Sequence, residues 1–203
     1  LWEIDATGGD VVVTIHTHAS GFAQRLRPRQ VGYAAGPGDV FLAGDYDRDG
    51  STDLFVLRRD DGVLAVFAGP GFGSPPLLEI MPSVGSGEDR RFALGDYDLD
   101  GVPDLYGLGS EDPARLLVLA GSGGYAGQAA EVTTGVTGEE GAFAVGDLDG
   151  DGRADLYFLD GGGGLTVYLG GQREGASDAA LVYWFVEGDD QPTTRQEACP
   201  AAP

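Results

Sequence analysis

A 14-residue pattern recurs three times in the chain at a constant step of 51 residues. The copies align without gaps and read GDYDRDGSTDLFVL at 44–57, GDYDLDGVPDLYGL at 95–108 and GDLDGDGRADLYFL at 146–159. A pattern of this length at a constant step indicates an internal repeat. Repeats constrain the architecture because each copy folds as one unit that packs against its neighbours.

Each 51-residue unit contains about four short segments with strand-like patterns. In the first complete unit these segments are 53–57, 63–68, 77–81 and 92–94. The 36 glycines of the chain fit many short strands joined by tight turns. Both faces of the strands are fairly apolar, which indicates sheets stacked face to face. We therefore predict an all-β fold of β-propeller blades, each with four short antiparallel strands.

The repeat also predicts the organisation of the chain. A propeller segment occupies 1–186, with a partial unit at 1–39 and loop-bearing units at 40–90, 91–141 and 142–186, and a flexible tail occupies 187–203. Leu1 aligns with Leu54, so the partial unit starts just after the place of its own acidic loop. A ring must close to cover its first and last blades. We expect the remaining blades upstream or on another chain; a self-contained small ring is the alternative.

Each repeat begins with an acidic loop of the form D-x-D-x-D-G-x-x-D. Carboxylates at positions 1, 3 and 5 of a curled loop converge, the glycine at position 6 permits a sharp turn, and the carboxylate at position 9 closes the site. Position 7 varies freely because it offers its backbone carbonyl. The predicted ligands are Asp45, Asp47, Asp49, Ser51 and Asp53 in the first loop, Asp96, Asp98, Asp100, Val102 and Asp104 in the second, and Asp147, Asp149, Asp151, Arg153 and Asp155 in the third.

Calcium is the metal that this ligand set favours. Calcium accepts six to eight oxygens at flexible angles, whereas magnesium requires a tight octahedron. The loops contain neither cysteine nor histidine, which argues against zinc. Acidic turns without an ion are disfavoured, because four carboxylates within nine residues repel one another. We predict three Ca²⁺ ions, one in each loop.

An EF-hand is the nearest competing motif, since it also begins D-x-D-x-D-G. It requires a bidentate glutamate at position 12 and flanking helices. Position 12 is Val56, Gly107 or Phe158, each within a strand-like run. These residues exclude an EF-hand.

The formal net charge of −21, with 33 acidic against 12 basic residues, argues against nucleic acid and anionic membranes as partners. The three loops hold 12 of the acidic residues, so much of the acidity belongs to the predicted metal sites. No apolar stretch approaches the ~20 residues that span a bilayer.

No catalytic set is evident, and we expect the chain not to be an enzyme on its own. His16 and His18 share one face of a strand and are interpreted as polar surface residues, and Ser20 with Asp10 does not make a triad. Cys199 is either a free thiol in the tail or half of a disulfide with a partner outside the chain. Five aromatic residues are predicted to pack between blades rather than to bind sugars: Trp2, Phe55, Tyr106, Tyr157 and Trp184.

The repeats resemble the FG-GAP/VCBS repeat family, which occurs in integrin α-subunit propellers and in many secreted bacterial proteins. The loops match the family pattern at every ligand position, and the glycine-rich turn after the second strand is visible at 67–73, with weaker versions at 119–125 and 169–171. The resemblance covers 1–186. It implies a calcium-stabilised propeller, usually of seven blades, in adhesion or ligand-binding proteins outside the cell.

The resulting functional expectation is a calcium-binding scaffold, secreted or at the cell surface, for an extracellular protein or glycan. The alternatives are an accessory propeller domain of a secreted enzyme and a lectin-like carbohydrate-binding module. A composition rich in alanine, arginine and glycine without lysine suits a bacterium of high GC content.

Overall fold

The structure is a computed structural model that describes residues 2–6, 9–16, 26–82, 90–110, 114–134, 141–150, 152–160, 164–168, 181–184 and 193–195. The secondary structure in these residues is all β, with sixteen strands. The described part of the chain holds no helix that is long and apolar enough to cross a membrane.

The strands form four antiparallel sheets, each built from strands that are consecutive in the chain. The first contains β1 (Trp2–Asp5), β2 (Asp10–Ile15) and β3 (Arg29–Ala34). The second contains β4 (Val40–Gly44), β5 (Asp53–Leu57), β6 (Leu64–Phe67) and β7 (Leu78–Ile80). The third contains β8 (Arg91–Gly95), β9 (Asp104–Leu108), β10 (Arg115–Leu119) and β11 (Gln128–Thr133). The fourth contains β12 (Gly141–Gly146), β13 (Asp155–Asp160), β14 (Gly164–Tyr168), β15 (Leu181–Trp184) and β16 (Thr193–Arg195).

These sheets confirm the predicted class of fold, antiparallel blades of short strands. The fourth sheet has five strands rather than four. Its last strand, β16, lies within 187–203, the segment that the sequence assigns to a flexible tail. The first sheet has three strands, and β1 is at its edge. In the second sheet, the strand that aligns with β1 in the repeat is β5, and β5 has a neighbouring strand on each side.

The register of the first two strands is the same in the second, third and fourth sheets. The glycine that ends the first strand faces the aspartate that begins the next, in the pairs Gly44–Asp53, Gly95–Asp104 and Gly146–Asp155. Each acidic loop is the connection between these two strands. The loops therefore occupy the same corner of three successive sheets.

The chain divides into two compact units, Leu1–Glu88 with Gly121–Gly127, and Asp89–Ala120 with Gln128–Pro203. Each has an apolar core of its own. The core of the first unit is built from Val11, Val13, Val31, Leu54, Val56, Ala65, Phe67 and Phe72. The core of the second unit is built from Tyr106, Leu108, Ala114, Leu116, Val118, Leu156 and Phe158.

Two glycine-rich turns each insert an aromatic side chain into the first unit. Phe72 and Tyr125 are fully buried and share a left-handed backbone conformation, with φ of 51° and 60°. Phe72 joins the core beside Val11 and Val31. Tyr125 packs edge-on against Phe55, with ring centroids 6.2 Å apart.

The predicted burial of aromatic residues is confirmed at Phe55 and Tyr106. Tyr157 is only half-buried. The side chains of Trp2 and Trp184 lie outside the described residues.

Candidate metal centre

Carboxylates converge in each of the three acidic loops. One oxygen from each of the aspartates at positions 1, 3 and 9 lies within 4.8 Å of the others. The three groups are Asp45, Asp47 and Asp53; Asp96, Asp98 and Asp104; and Asp147, Asp149 and Asp155. The same arrangement at three corners follows from the shared register of the sheets.

The aspartate at position 1 holds the second half of its loop through backbone hydrogen bonds. The N–H of Gly50 donates to Asp45 Oδ2 with an N···O distance of 3.0 Å. The equivalent bonds are Gly101 to Asp96 at 3.0 Å and Gly152 to Asp147 at 2.9 Å. The carboxylate at the start of the loop therefore also stabilises the curled backbone of the loop.

The aspartate at position 9 is buried and holds the first half of the loop. Its Oδ2 accepts the N–H of the residue at position 2, from Tyr46 at 2.8 Å, Tyr97 at 2.6 Å and Leu148 at 2.6 Å. In the first loop, Asp53 Oδ1 also accepts the N–H of Gly69 at 2.8 Å. Asp53 thus joins the acidic loop to the glycine-rich turn.

Burial raises the pKa of the Asp53 carboxyl above its ordinary value, although the N–H groups of Gly69 and Tyr46 counteract part of the shift. The charge of Asp47 raises the same pKa further. A carboxylate that is penalised by burial and by a like charge is stabilised by a bound cation.

The loops require left-handed backbone at positions 4 and 6. The glycines at position 6 were predicted to make a sharp turn, and Gly50, Gly101 and Gly152 have φ of 84°, 81° and 86°. Position 4 is also left-handed, and there Arg48 and Leu99 adopt φ of 61° and 64°. The sequence prediction missed this second position, although a glycine at position 4 of the third loop pointed to it.

The two described aspartates at position 5, Asp49 and Asp100, lie outside the converging groups. In the first two loops, Oδ1 of Asp49 accepts the N–H of Ser51 at 2.6 Å, and Oδ1 of Asp100 accepts the N–H of Val102 at 2.8 Å. Asp151 lies outside the described residues. Metal ligation stays a prediction for all of the predicted ligands, both the carboxylates at positions 1, 3, 5 and 9 and the carbonyls of Ser51, Val102 and Arg153.

The converging groups fit a calcium ion by size and by donor type. Calcium–oxygen distances are about 2.3–2.6 Å, so oxygens on opposite sides of one ion are about 5 Å apart. In each loop the three oxygens lie within 4.8 Å of one another, which is inside this span. The donors are all carboxylate oxygens, which a hard divalent cation prefers.

The other candidate residues do not assemble a site among the described residues. His16 Nε2 lies 3.0 Å from Glu3 Oε2. The His16 side chain is only 11% exposed, which is less than its interpretation as a surface residue implies. Asp10 Oδ2 accepts a hydrogen bond from the side-chain amide of Gln30 at 2.8 Å. His18, Ser20 and Cys199 lie outside the described residues.

The turn at Gly69 approaches the first loop too closely for any side chain. A Cβ added to Gly69 would lie 2.0 Å from the carbonyl oxygen of Thr52. We expect Gly69→Ala to lower the free energy of unfolding by about 2–3 kcal/mol, as overpacking of a buried site does. Urea denaturation monitored by circular dichroism measures the change.

Gly71→Ala is the matched control, because a Cβ there would meet no atom within 4 Å. We expect this variant to unfold within about 0.5 kcal/mol of the parent chain. Equal stability of the Gly69→Ala and Gly71→Ala variants would show that the turn does not need the close approach.

The repeated sheets and loops define a class of protein. It is an all-β repeat protein in which the same acidic loop joins the first two strands of the second, third and fourth sheets. A family model described as FG-GAP-like repeat matches residues 45–107 and again 96–158. Each match begins in one acidic loop and ends in the strand that follows the next. The chain belongs to the FG-GAP-like repeat family. No curated protein and no solved structure gave a significant match.

Proposed function

We propose that this chain is a calcium-binding extracellular scaffold, in which three structural Ca²⁺ ions hold the loops that join the first two strands of successive blades. The observation that carries the proposal is the convergence of three carboxylates in each loop, repeated with one geometry. FG-GAP repeats are generally extracellular binding or scaffold modules, which agrees with this role.

A structural role for calcium is supported by the position of the ligands. The aspartate at position 9 is both a member of the acidic cluster and the first residue of a central strand. An ion at this point links the loop to the sheet. Extracellular modules bind calcium at about 10⁻⁴–10⁻³ M, which suits secretion or display at the surface of a bacterial cell.

A binding role is supported by apolar side chains exposed on the second and third loops. Tyr97, Leu99 and Leu148 are each more than two-fifths exposed. Leu99 also reaches across to the third loop, since a Cβ on Gly152 would lie 3.9 Å from its Cδ2. Exposed apolar groups on neighbouring loops are a feature of interaction surfaces, and we propose an extracellular protein as the adhesion partner, with a glycan as the alternative.

The test of calcium binding is a count of bound ions by equilibrium dialysis and elemental analysis. We expect three Ca²⁺ per chain and, after Asp45→Asn with Asp47→Asn in the first loop, two. Asp60→Asn with Asp61→Asn is the matched control, since it removes two charges from a turn outside the loops. A parent chain that retains no calcium at millimolar concentration would overturn the proposal.

The test of the partner class is a glycan array read with calcium and with EDTA, beside capture of extracellular proteins under the same two conditions. Calcium-dependent protein capture with a blank array supports the protein partner. Calcium-dependent array signals would instead establish the lectin alternative.

A further inference from the structure

The hydroxyl of Tyr106 is a buried polar group with no hydrogen-bond partner among the residues that the structure describes. The side chain is 3% exposed and belongs to the apolar core of the second unit. An unpaired hydroxyl in such a place is costly, and in a native protein it points to a water molecule or an ion.

The Tyr106 ring lies where the second acidic loop begins and the third one closes. A Cβ added to Gly95 would lie 3.3 Å from Cε2 of this ring and 3.1 Å from the Cβ of Ala154. Gly95 directly precedes the first aspartate of the second loop, and Ala154 directly precedes the last aspartate of the third. The ring therefore packs between the two loops, within one compact unit.

A tyrosine hydroxyl with an ordinary pKa of about 10 is protonated at neutral pH. A neutral phenol can donate one hydrogen bond and accept another.

We propose that a water molecule held by the cation of the second loop donates a hydrogen bond to the Tyr106 hydroxyl and so supplies its missing partner. We propose further that this hydrogen bond couples the second metal site to the third. The inference rests on the proposed calcium-binding function. The hydrogen bond to the metal-held water fixes the hydroxyl, and the ring that carries it packs in the core beside Ala154, which directly precedes the last aspartate of the third loop. An ion in the second loop therefore orders a side chain that packs beside the third loop, so the two sites load cooperatively.

The first loop provides an internal comparison. The residue at the position of Tyr106 in the second sheet is Phe55, which has no hydroxyl. The coupling is therefore specific to the second and third loops, and the first loop binds its ion independently.

The experiment is a calorimetric titration with calcium chloride in a chain whose first loop is silenced by Asp45→Asn and Asp47→Asn. We expect two ions to bind with positive cooperativity. Tyr106→Phe should weaken binding at the second loop roughly three- to tenfold, the effect of one lost hydrogen bond, and should remove the cooperativity. Tyr97→Phe, which removes an exposed hydroxyl from the same loop, should change affinity less than twofold.

A second measurement separates this role from packing. In EDTA, Tyr106→Phe should melt at the same temperature as the parent or higher, because it removes a buried unpaired hydroxyl. With calcium, the same variant should melt lower. A variant that melts lower in EDTA but binds calcium as the parent does would show that the hydroxyl serves packing alone and would overturn the inference.

The outcomes also separate the inference from the function on which it rests. Calcium uptake with an unchanged isotherm in Tyr106→Phe overturns the coupling and leaves the proposed function standing. The absence of any uptake by the parent chain overturns both.

Discussion

Removal of calcium with excess EDTA is expected to lower the melting temperature by about 10–30 °C. An ion that binds only the folded chain stabilises it by RT ln(1 + [L]/Kd), which for 10 mM calcium and a Kd of 10⁻⁴–10⁻³ M is about 1.4–2.7 kcal/mol per site. Summed over the three sites, this stabilisation is about 4–8 kcal/mol. For a chain of this size each kcal/mol shifts the melting temperature by about 2–4 °C.

The measurement is thermal unfolding followed by circular dichroism in 10 mM calcium and in EDTA. Addition of calcium after chelation should restore the higher transition. Magnesium at the same concentration should restore little of it, because it fits poorly into a flexible all-carboxylate loop. Identical melting curves in calcium and in EDTA would show that the acidic clusters do not hold a structural ion.

Substitution of Asp53 by alanine is expected to destabilise the protein even without calcium. The Asp53 side chain is fully buried, and its two oxygens accept backbone N–H groups from Tyr46 and Gly69. Loss of the carboxylate leaves both donors without this partner. The buried Gly69 N–H costs about 1–3 kcal/mol when it is unsatisfied, and the part-buried Tyr46 N–H adds less, so the total is about 2–4 kcal/mol. Urea denaturation in EDTA measures this component directly.

Asp47→Ala is the matched control in the same loop. Asp47 belongs to the same acidic cluster, but its Oδ1 accepts only an exposed N–H, from Asp49 at 3.1 Å, which water can satisfy instead. We expect Asp47→Ala to lose stability only in calcium. If both variants lose the same free energy of unfolding in EDTA, the hydrogen bonds of Asp53 contribute no more to stability than that of Asp47.

The strands could be predicted from the sequence because the pattern of apolar residues and the glycines between the strands agree with the packing in the folded chain. The segment 53–57 was predicted as a strand, and β5 has these bounds. The prediction at 92–94 falls inside β8, which extends by one residue at each end because Arg91 and Gly95 also pair with β9. Exact ends depend on pairing across the sheet, which the local pattern does not contain.

Two features of the candidate metal centre could not be predicted in the same way. Arg48 and Leu99 adopt left-handed backbone, a conformation that their side chains do not favour. Only the glycine at position 4 of the third loop indicated it. The second feature is the unpaired hydroxyl of Tyr106. The sequence distinguishes Tyr106 from Phe55, but the burial of the hydroxyl depends on the folded structure.

The aromatic residues of the glycine-rich turns were missed for a related reason. A phenylalanine or tyrosine among glycines suggests an exposed loop, yet Phe72 and Tyr125 are fully buried. Their left-handed backbone turns the side chain into the first unit. Positions of this kind are set by tertiary packing that a single sequence does not show.

The placement of Tyr125 decides where fragments of this chain can be cut. The segment Gly121–Gly127 connects β10 to β11, yet it packs within the first compact unit. A fragment that stops at Ser110 keeps every strand of the second sheet but loses the ring that stacks on Tyr46 and meets Phe55. Two large aromatic faces would then be left in water, with poor solubility as the result. The boundaries of the tandem duplication are thus not the boundaries of an independently stable fragment.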